Sequence, residues 1–289
     1  MSRICVPFGR ADYTPLSGCI FTLLLLQISG QRQPNQTMSF THALTLARYN
    51  WPLYLIAFSG VIVGTVVALN GHSLLAFRAA GTLGALIAVW YAAASFLAFH
   101  AMFDRSRLLG GTWLGELMSE PPARCIQISV FLEATTLPIA KVFSQAEVIL
   151  LDLFRPELMT EPAVTRARQS AKPTHAISST IDSLPVEDGW SDATVITLAA
   201  HEIRLKSKRE QLFRELQRVT AQGGSIILVE HLRNVAALLA FGPGLFHFYP
   251  RSEWIRLARQ AKLSLKSEIA ITSFVHVFQF TPEQNHTSP

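Results

Sequence analysis

The sequence predicts an α/β protein: an open, mostly parallel sheet closed by an antiparallel hairpin and preceded by two transmembrane helices. Three observations carry this reading. Between residues 125 and 262, short apolar runs alternate with helix-length stretches, the pattern of parallel strands joined by helical crossovers. Two further strand-like runs, 263–271 and 274–280, are separated only by a Thr-Ser turn. Upstream lie two uncharged apolar stretches, 53–70 and 79–103, each close to the roughly 20 residues that cross a bilayer.

Composition narrows the class further. Charged residues make up only 16% of the chain and apolar residues 49%, at the apolar edge of soluble proteins, and the mean hydropathy is positive. The net charge of +5 is spread along the sequence without a dense Lys/Arg block, which argues against a nucleic-acid partner. Cys5, Cys19 and Cys125 are too widely separated for a disulfide framework or a metal pattern, which fits a reducing compartment. No paired carboxylates, Ser–His–Asp arrangement, phosphate loop or zinc spacing is present, so no metal ligand is assigned from the sequence.

Residues 1–37 differ in character from the rest of the chain. Leu16–Ile28 is apolar but short of a span, and Arg3 and Arg10 precede it. Two readings stand: a leader of signal-peptide type, or an extension ahead of a start at Met38. From residue 38 to 107 the expectation is a helical hairpin joined through Gly71, His72 and Arg78. Gly60, Gly64, Gly81 and Gly84 would let its helices approach closely. Trp51, Tyr54, Trp90 and Tyr91 are candidate interfacial rings. Arg48 before the hairpin and Arg105 and Arg107 after it outnumber Arg78 in the loop, which places both ends in the cytoplasm. The result is an integral membrane protein with two spans, the bilayer its first partner. His100 and Asp104 are read as exit-flank residues. The competing reading is a pair of buried helices in a soluble bundle.

Residues 108–124, with Gly110-Gly111 and Pro121-Pro122, read as a linker. Strands are expected at 125–130, 146–154, 175–181, 192–199 and 225–229. Helices are expected at 133–143, from Thr160-Glu161-Pro162 onward, at 204–220 and at 252–262. The 204–220 helix turns Leu212, Phe213, Leu216 and Val219 inward, and Gly223-Gly224 is read as its stop. Ligands of such sheets bind beyond the carboxyl ends of the strands, at the topological switch.

The run Leu184-Pro185-Val186-Glu187-Asp188-Gly189-Trp190-Ser191-Asp192 resembles the LP-x-x-D-x-x-x-D segment of class I S-adenosylmethionine-dependent methyltransferases, the type 11 group in particular. The likeness continues through the 204–220 helix, Gly223-Gly224 and the strand ending at Glu230, and covers about 125–280. It implies a Rossmann-like methyltransferase sheet and S-adenosylmethionine as cofactor. It implies cofactor contacts at Ser129, Val130 and Glu133 after the first strand, and at Asp152, Thr180, Asp182 and Ala199. Asp152 stands where an acid accepts from ribose hydroxyls. Thr180 replaces the family's acid near the adenine, with Asp182 two residues away. The chain departs from the family at 129–136, where a glycine-rich turn is expected and no glycine occurs.

Methyl transfer needs alignment of nucleophile and methyl group, with a base where the nucleophile carries a proton. His201 with Glu202, after the fourth strand, and His231, after the fifth, are the candidates. A histidine's proton affinity suits the task, although a His–Glu pair at a helix start also serves local hydrogen bonding. Arg233 would bind an anionic substrate group or cap a turn. His247 lies in the apolar insertion 235–249, which would be a substrate lid, a segment dipping to the membrane, or packed core. The expected function is therefore a membrane-anchored methyltransferase acting on a small hydrophobic or lipid-like acceptor. The alternatives are a catalytically degenerate, membrane-bound interaction module and, third, a nicotinamide oxidoreductase.

Overall fold

The computed structural model describes residues 39–71, 75–130, 136–170 and 175–283. Leu16–Ile28, Glu133 and most of the glycine-free turn lie outside these residues. The described chain opens with a helix the hydropathy pattern did not announce, α1 (Thr41–Tyr49). Asn50 separates it from α2 (Trp51–Asn70), whose Pro52 occupies the first turn, where a missing N–H costs nothing. The second apolar helix, α3 (Leu75–Phe99), continues as one π-helical turn to Arg105.

Helices α2 and α3 lie side by side, and two glycines set how closely. A Cβ on Gly64 would stand 2.6 Å from the Gly81 carbonyl oxygen, and one on Gly81 would stand 2.6 Å from that of Gly64. Gly60 faces Ala88 in the same seam. Gly84, expected to share this role, faces open space. The Gly84 expectation fails because only one helical stripe can meet the partner. Both helices are long and apolar enough to cross a membrane, and only 11% and 17% of their apolar windows are buried.

The exit of α3 is not a loose flank. The side chain of Asp104 is fully buried. It accepts from the backbone N–H groups of His42 (3.0 Å) and Ala43 (3.1 Å) at the start of α1. The imidazoles of His42 and His100 lie 3.0 and 3.1 Å from it. The expected linker 108–124 is likewise packed: Leu108, Trp113, Leu114 and Leu117 are buried, the last two in α4 (Leu114–Leu117).

The sheet comes next, in chain order: β1 (Arg124–Ser129), a short α5 (Ile139–Val142), β2 (Glu147–Asp152), α6 (Pro162–Ser170) and β3 (Ile177–Ser178). After these come β4 (Ser191–Thr197), a 3-10 turn (Ala200–Glu202), α7 (Lys206–Val219) and β5 (Thr220–His231). The insertion folds as α8 (Val235–Phe241) and a 3-10 segment (Gly242–His247), before α9 (Arg251–Gln260), β6 (Leu263–Ala270) and β7 (Val275–Pro282). Strand order is β3-β2-β1-β4-β5-β7-β6, parallel through β5 and antiparallel at β7 and β6. The order reverses at β1, so the switch point lies at the carboxyl ends of β1 and β4.

Two expectations are corrected here. The predicted strand at 175–181 is reduced to Ile177–Ser178, because only Leu151 and Asp152 of β2 find partners there. Gly223-Gly224 does not stop the helix. Helix α7 ends at Val219, and the glycines fall within β5. Ser191 pairs with Thr220 and Ala193 with Ser225, so the residues between Thr220 and Ser225 loop out of the ladder. Gly223 adopts φ +81° there, a value that favours glycine.

The pleat sorts the core. Ile126, Ile128, Ile226, Leu228, Phe278 and Phe280 face Leu212, Phe213 and Leu216 of α7 and Trp254 and Leu257 of α9. Cys125, Val195, Ile227, Val229, Val275 and Val277 face the other way, against Met102, Phe103, Leu108, Trp113 and Leu114. The end of the second apolar helix and the segment after it thus form one covering layer of the sheet.

Candidate active site

The segment Leu184–Trp190 is held by helix α7. Glu215 accepts from the Leu184 N–H at 2.8 Å. Arg218 donates to the carbonyls of Leu184 (2.9 Å) and Val186 (2.8 Å) and to Asp188 (2.7 Å). Gly189, at φ +63°, donates its N–H to the Arg218 carbonyl at 2.8 Å. The motif is therefore a structural clip that aligns the start of β4.

At the carboxyl end of β4 the chain turns sharply through Leu198, a non-glycine residue at φ +46°, a strained value of the sort found at functional sites. The turn delivers Ala199–Glu202 over the end of β5. Glu230, wholly buried, accepts from the N–H groups of Ala200 (2.8 Å) and His201 (3.3 Å) through Oε1. Its Oε2 lies 2.6 Å from His201 Nδ1. His201 Nε2 lies 3.3 Å from Glu202 Oε1, and His247 Nε2 stands 3.4 Å from Glu202 Oε2. Both Glu202 Oε2 and His247 Nε2 are buried without a hydrogen-bond partner, as is Nδ1 of His231, whose ring meets that of His201 edge-on at 5.4 Å.

These contacts decide charge states. Burial opposes the charged form of His201, but the Glu230 and Glu202 carboxylates outweigh it and push its pKa up to about 10. Burial would also raise Glu202, yet the imidazoles of His201 and His247 hold it well below the usual carboxylate range. Burial drives His231 well below the usual histidine range, reinforced by the charges of His201 and His247. His201 is thus not the free base the sequence suggested, because both of its ring nitrogens face carboxylates.

His201, Glu202, His231 and His247 line one cavity of about 190 Å³. Its other walls are Leu46, Tyr49, Leu53 and Tyr54, then Tyr91, Ser95, Phe99 and Phe103, with Leu198, Phe241 and Phe248. The base of the apolar hairpin and the carboxyl ends of β4 and β5 share this space. The insertion closes it. Trp90 Nε1 donates to the Leu239 carbonyl at 3.0 Å, and the rings of Phe99 and Phe241 are 5.5 Å apart.

Other sequence-assigned residues stand apart from the cavity. Arg233 donates to the carbonyls of Phe248 (2.7 Å) and Phe246 (3.1 Å); it fixes the insertion and does not reach the cavity. Asp182 is bridged to Lys208 at 2.7 Å, and Thr180 donates to the Ser183 carbonyl at 3.2 Å. Ala199 and Ser129 are buried, and Val130 offers its carbonyl to Arg168 at 3.2 Å. Asp152 does stand at the carboxyl end of β2, beside Ser129 at the end of β1. Its Oδ2 accepts from Arg168 at 2.5 Å and its Oδ1 from the Phe154 N–H at 3.0 Å. Glu230, which the sequence reading pairs with His231 as a second candidate after the fifth strand, is the group that positions His201.

A sheet of this order, with an acid at the end of β2 and the candidate residues His201, Glu202 and His231 beyond β4 and β5, is the arrangement that the sequence resemblance implies. In agreement, residues 133–228 match the family model described as a methyltransferase domain. The sequence resemblance to S-adenosylmethionine-dependent methyltransferases is upheld by that match. Among solved structures, the chain is similar to an S-adenosylmethionine-dependent methyltransferase from Aquifex aeolicus, at 12% identity and a TM-score of 0.46, over 63% of this chain and 91% of that one. It is also similar to the PH0226 protein from Pyrococcus horikoshii OT3, at 13% identity and a TM-score of 0.45, over 61% and 89%. A third is the mitomycin 7-O-methyltransferase MmcR, at 14% identity and a TM-score of 0.43, over 81% and 68%. A comparison with curated proteins returns no match.

Proposed function

We propose that this protein is a membrane-anchored, S-adenosylmethionine-dependent methyltransferase whose acceptor is a small hydrophobic or lipid-like molecule. One observation carries the reading: residues of α1–α3 and the carboxyl ends of β4 and β5 line the same apolar cavity. The exposure of the apolar helices supports the anchor. Ile56, Phe58, Val63, Leu69 and Leu86 are each more than half exposed, which water penalises and a bilayer does not. Helix α2 is 20 residues long, about 30 Å, the thickness of the hydrocarbon core. Tyr54 near its start, hydrogen-bonded by Ser95 of α3 at 3.3 Å, then sits at the headgroup level together with the cavity. The excess of arginine at this end supports a cytoplasmic catalytic unit.

The donor set at the strand ends fits the cofactor on its ribose side. Asp152, a buried carboxylate, would exchange Arg168 for the ribose hydroxyls. The cofactor supplies an electrophilic methyl group on sulfur. The chain's residues supply the rest: the apolar wall of Phe99, Phe103 and Phe248 excludes water, and Glu230 fixes the His201–Glu202 turn. The unpartnered Nδ1 of His231, whose proton affinity burial depresses, offers a hydrogen-bond acceptor that orients an acceptor hydroxyl.

A second reading keeps the fold and drops catalysis, and the Arg168–Asp152 pair favours it, since Arg168 occupies the carboxylate that the cofactor needs. Calorimetric titration of the full chain in detergent with S-adenosylhomocysteine separates the two. The enzyme reading expects one saturable site per chain, weakened at least tenfold in Asp152→Asn. No heat at millimolar ligand leaves the interaction module standing. With liposomes and methyl-labelled cofactor, label should then enter the organic phase of a lipid extract.

A further inference from the structure

The cavity holds more ligand chemistry than methyl transfer requires. A ring nitrogen of His201, a Glu202 carboxylate oxygen and a ring nitrogen of His247 all lie within 4.8 Å of one another. Two atoms each bound to a metal at ~2.0–2.1 Å at tetrahedral angles stand roughly 3.3–3.4 Å apart. Glu202 Oε1 stands 3.3 Å from His201 Nε2 and its Oε2 stands 3.4 Å from His247 Nε2, so the carboxylate reaches the two imidazoles through different oxygens. Pairing of His201 Nε2 with Glu202 Oε1 accounts for only one side of this arrangement. Glu202 is only 5% exposed, yet its Oε2 has no hydrogen-bond partner, and neither does the Nε2 of His247 that faces it. Two orphaned polar atoms pointed at each other cost free energy unless something bridges them.

The surroundings hold both imidazoles in place. Glu230 grips His201 Nδ1 at 2.6 Å, leaving Nε2 to face the cavity, the carboxylate–histidine arrangement that orients metal-bound imidazoles. Arg204 holds the other imidazole's backbone, donating to the His247 carbonyl at 2.7 Å. All three ligand residues line the cavity, so a fourth position opens toward an incoming molecule.

We propose that His201, Glu202 and His247 bind a first-row divalent cation, with zinc the metal this two-imidazole, one-carboxylate set fits. Magnesium and calcium, which demand oxygen ligands, are poor candidates. Three protein ligands with one open position make a catalytic type of site, whose fourth ligand is water or an oxygen atom of the acceptor. The acceptor class narrows accordingly to molecules presenting a hydroxyl or enol oxygen.

The test uses the full chain in detergent, carrying a tag without histidines, stripped with chelator and titrated with Co²⁺. One equivalent per chain is expected, with visible absorption of a nitrogen-ligated, low-coordinate cobalt that Zn²⁺ then abolishes. Glu202→Gln and His247→Ala should each weaken binding at least 100-fold. Glu161→Gln, whose carboxylate lies 3.7 Å from the other nitrogen of His247, should stay within about threefold. Less than a tenth of an equivalent in the wild type, or unchanged binding in a folded Glu202→Gln/His247→Ala chain, would overturn the site. Should those variants not fold, the wild-type X-ray absorption spectrum decides: two imidazoles in the first shell support the site, none refutes it. No cofactor or acceptor is present, so the outcome is independent of methyl transfer.

Discussion

Asp104 accepts from the first N–H groups of α1 and faces two imidazoles, with no part of its side chain reaching solvent. It acts as a cap supplied from a distant element, tying the start of α1 to the end of α3. Replacing it by alanine orphans two backbone donors in a buried place, at a cost of about 2–4 kcal/mol. Chemical denaturation in detergent should show that loss, with Asp104→Asn recovering part of it; an unchanged midpoint would remove Asp104 from this role. Nothing in the sequence flags it, because an acid after an apolar run reads equally well as a solvated flank. The cavity residues divide in the same way. His201, Glu202 and His231 were legible as candidates because they follow strand ends of an α/β sheet, and His247 only as part of the apolar insertion. The grip of Glu230 on His201 and of Arg168 on Asp152 was not, since both contacts join residues distant in sequence.

At the scale of elements, the hairpin seam separates glycines that look alike in the sequence. Gly64→Leu drives a side chain into the backbone of α3, whereas Gly84→Leu adds one to open space. The first should destabilise the packed pair by about 1–3 kcal/mol and the second by much less, read from unfolding in increasing SDS. Equal effects would mean that the helices do not pack along this seam. The strands and long helices were legible because β4, β5 and α7 carry strong period-2 and period-3.6 patterns. The double glycine misled, since a glycine pair marks a helix stop and a bulged strand equally well. Helix α1 was missed because it is short and only weakly apolar, so its pattern does not stand out beside the hairpin. Its burial comes from α3 and α6, where Arg166 donates to the Tyr49 carbonyl at 2.5 Å.

The whole molecule does not divide where its hydropathy does. Met102 and Phe103, from the end of the second apolar helix, pack with Trp113 and Leu114 under the same sheet face as Val195 and Val229. A chain cut at residue 108 would bare that face, and the fragment 108–289 is therefore expected to aggregate or to melt without a cooperative transition. A soluble, cooperatively melting monomer would show the boundary to be real.

The Asp104 tie and the Arg166 clasp leave little play between the proposed anchor and the cavity mouth. Under the proposed anchoring, height above the bilayer then becomes a selection rule. An acceptor is tested for how far its oxygen stands from its own tail as well as for its shape. A molecule whose reactive oxygen lies within one or two bonds of the apolar body meets the mouth while its tail stays in lipid. One that carries the oxygen on a long polar stalk overshoots.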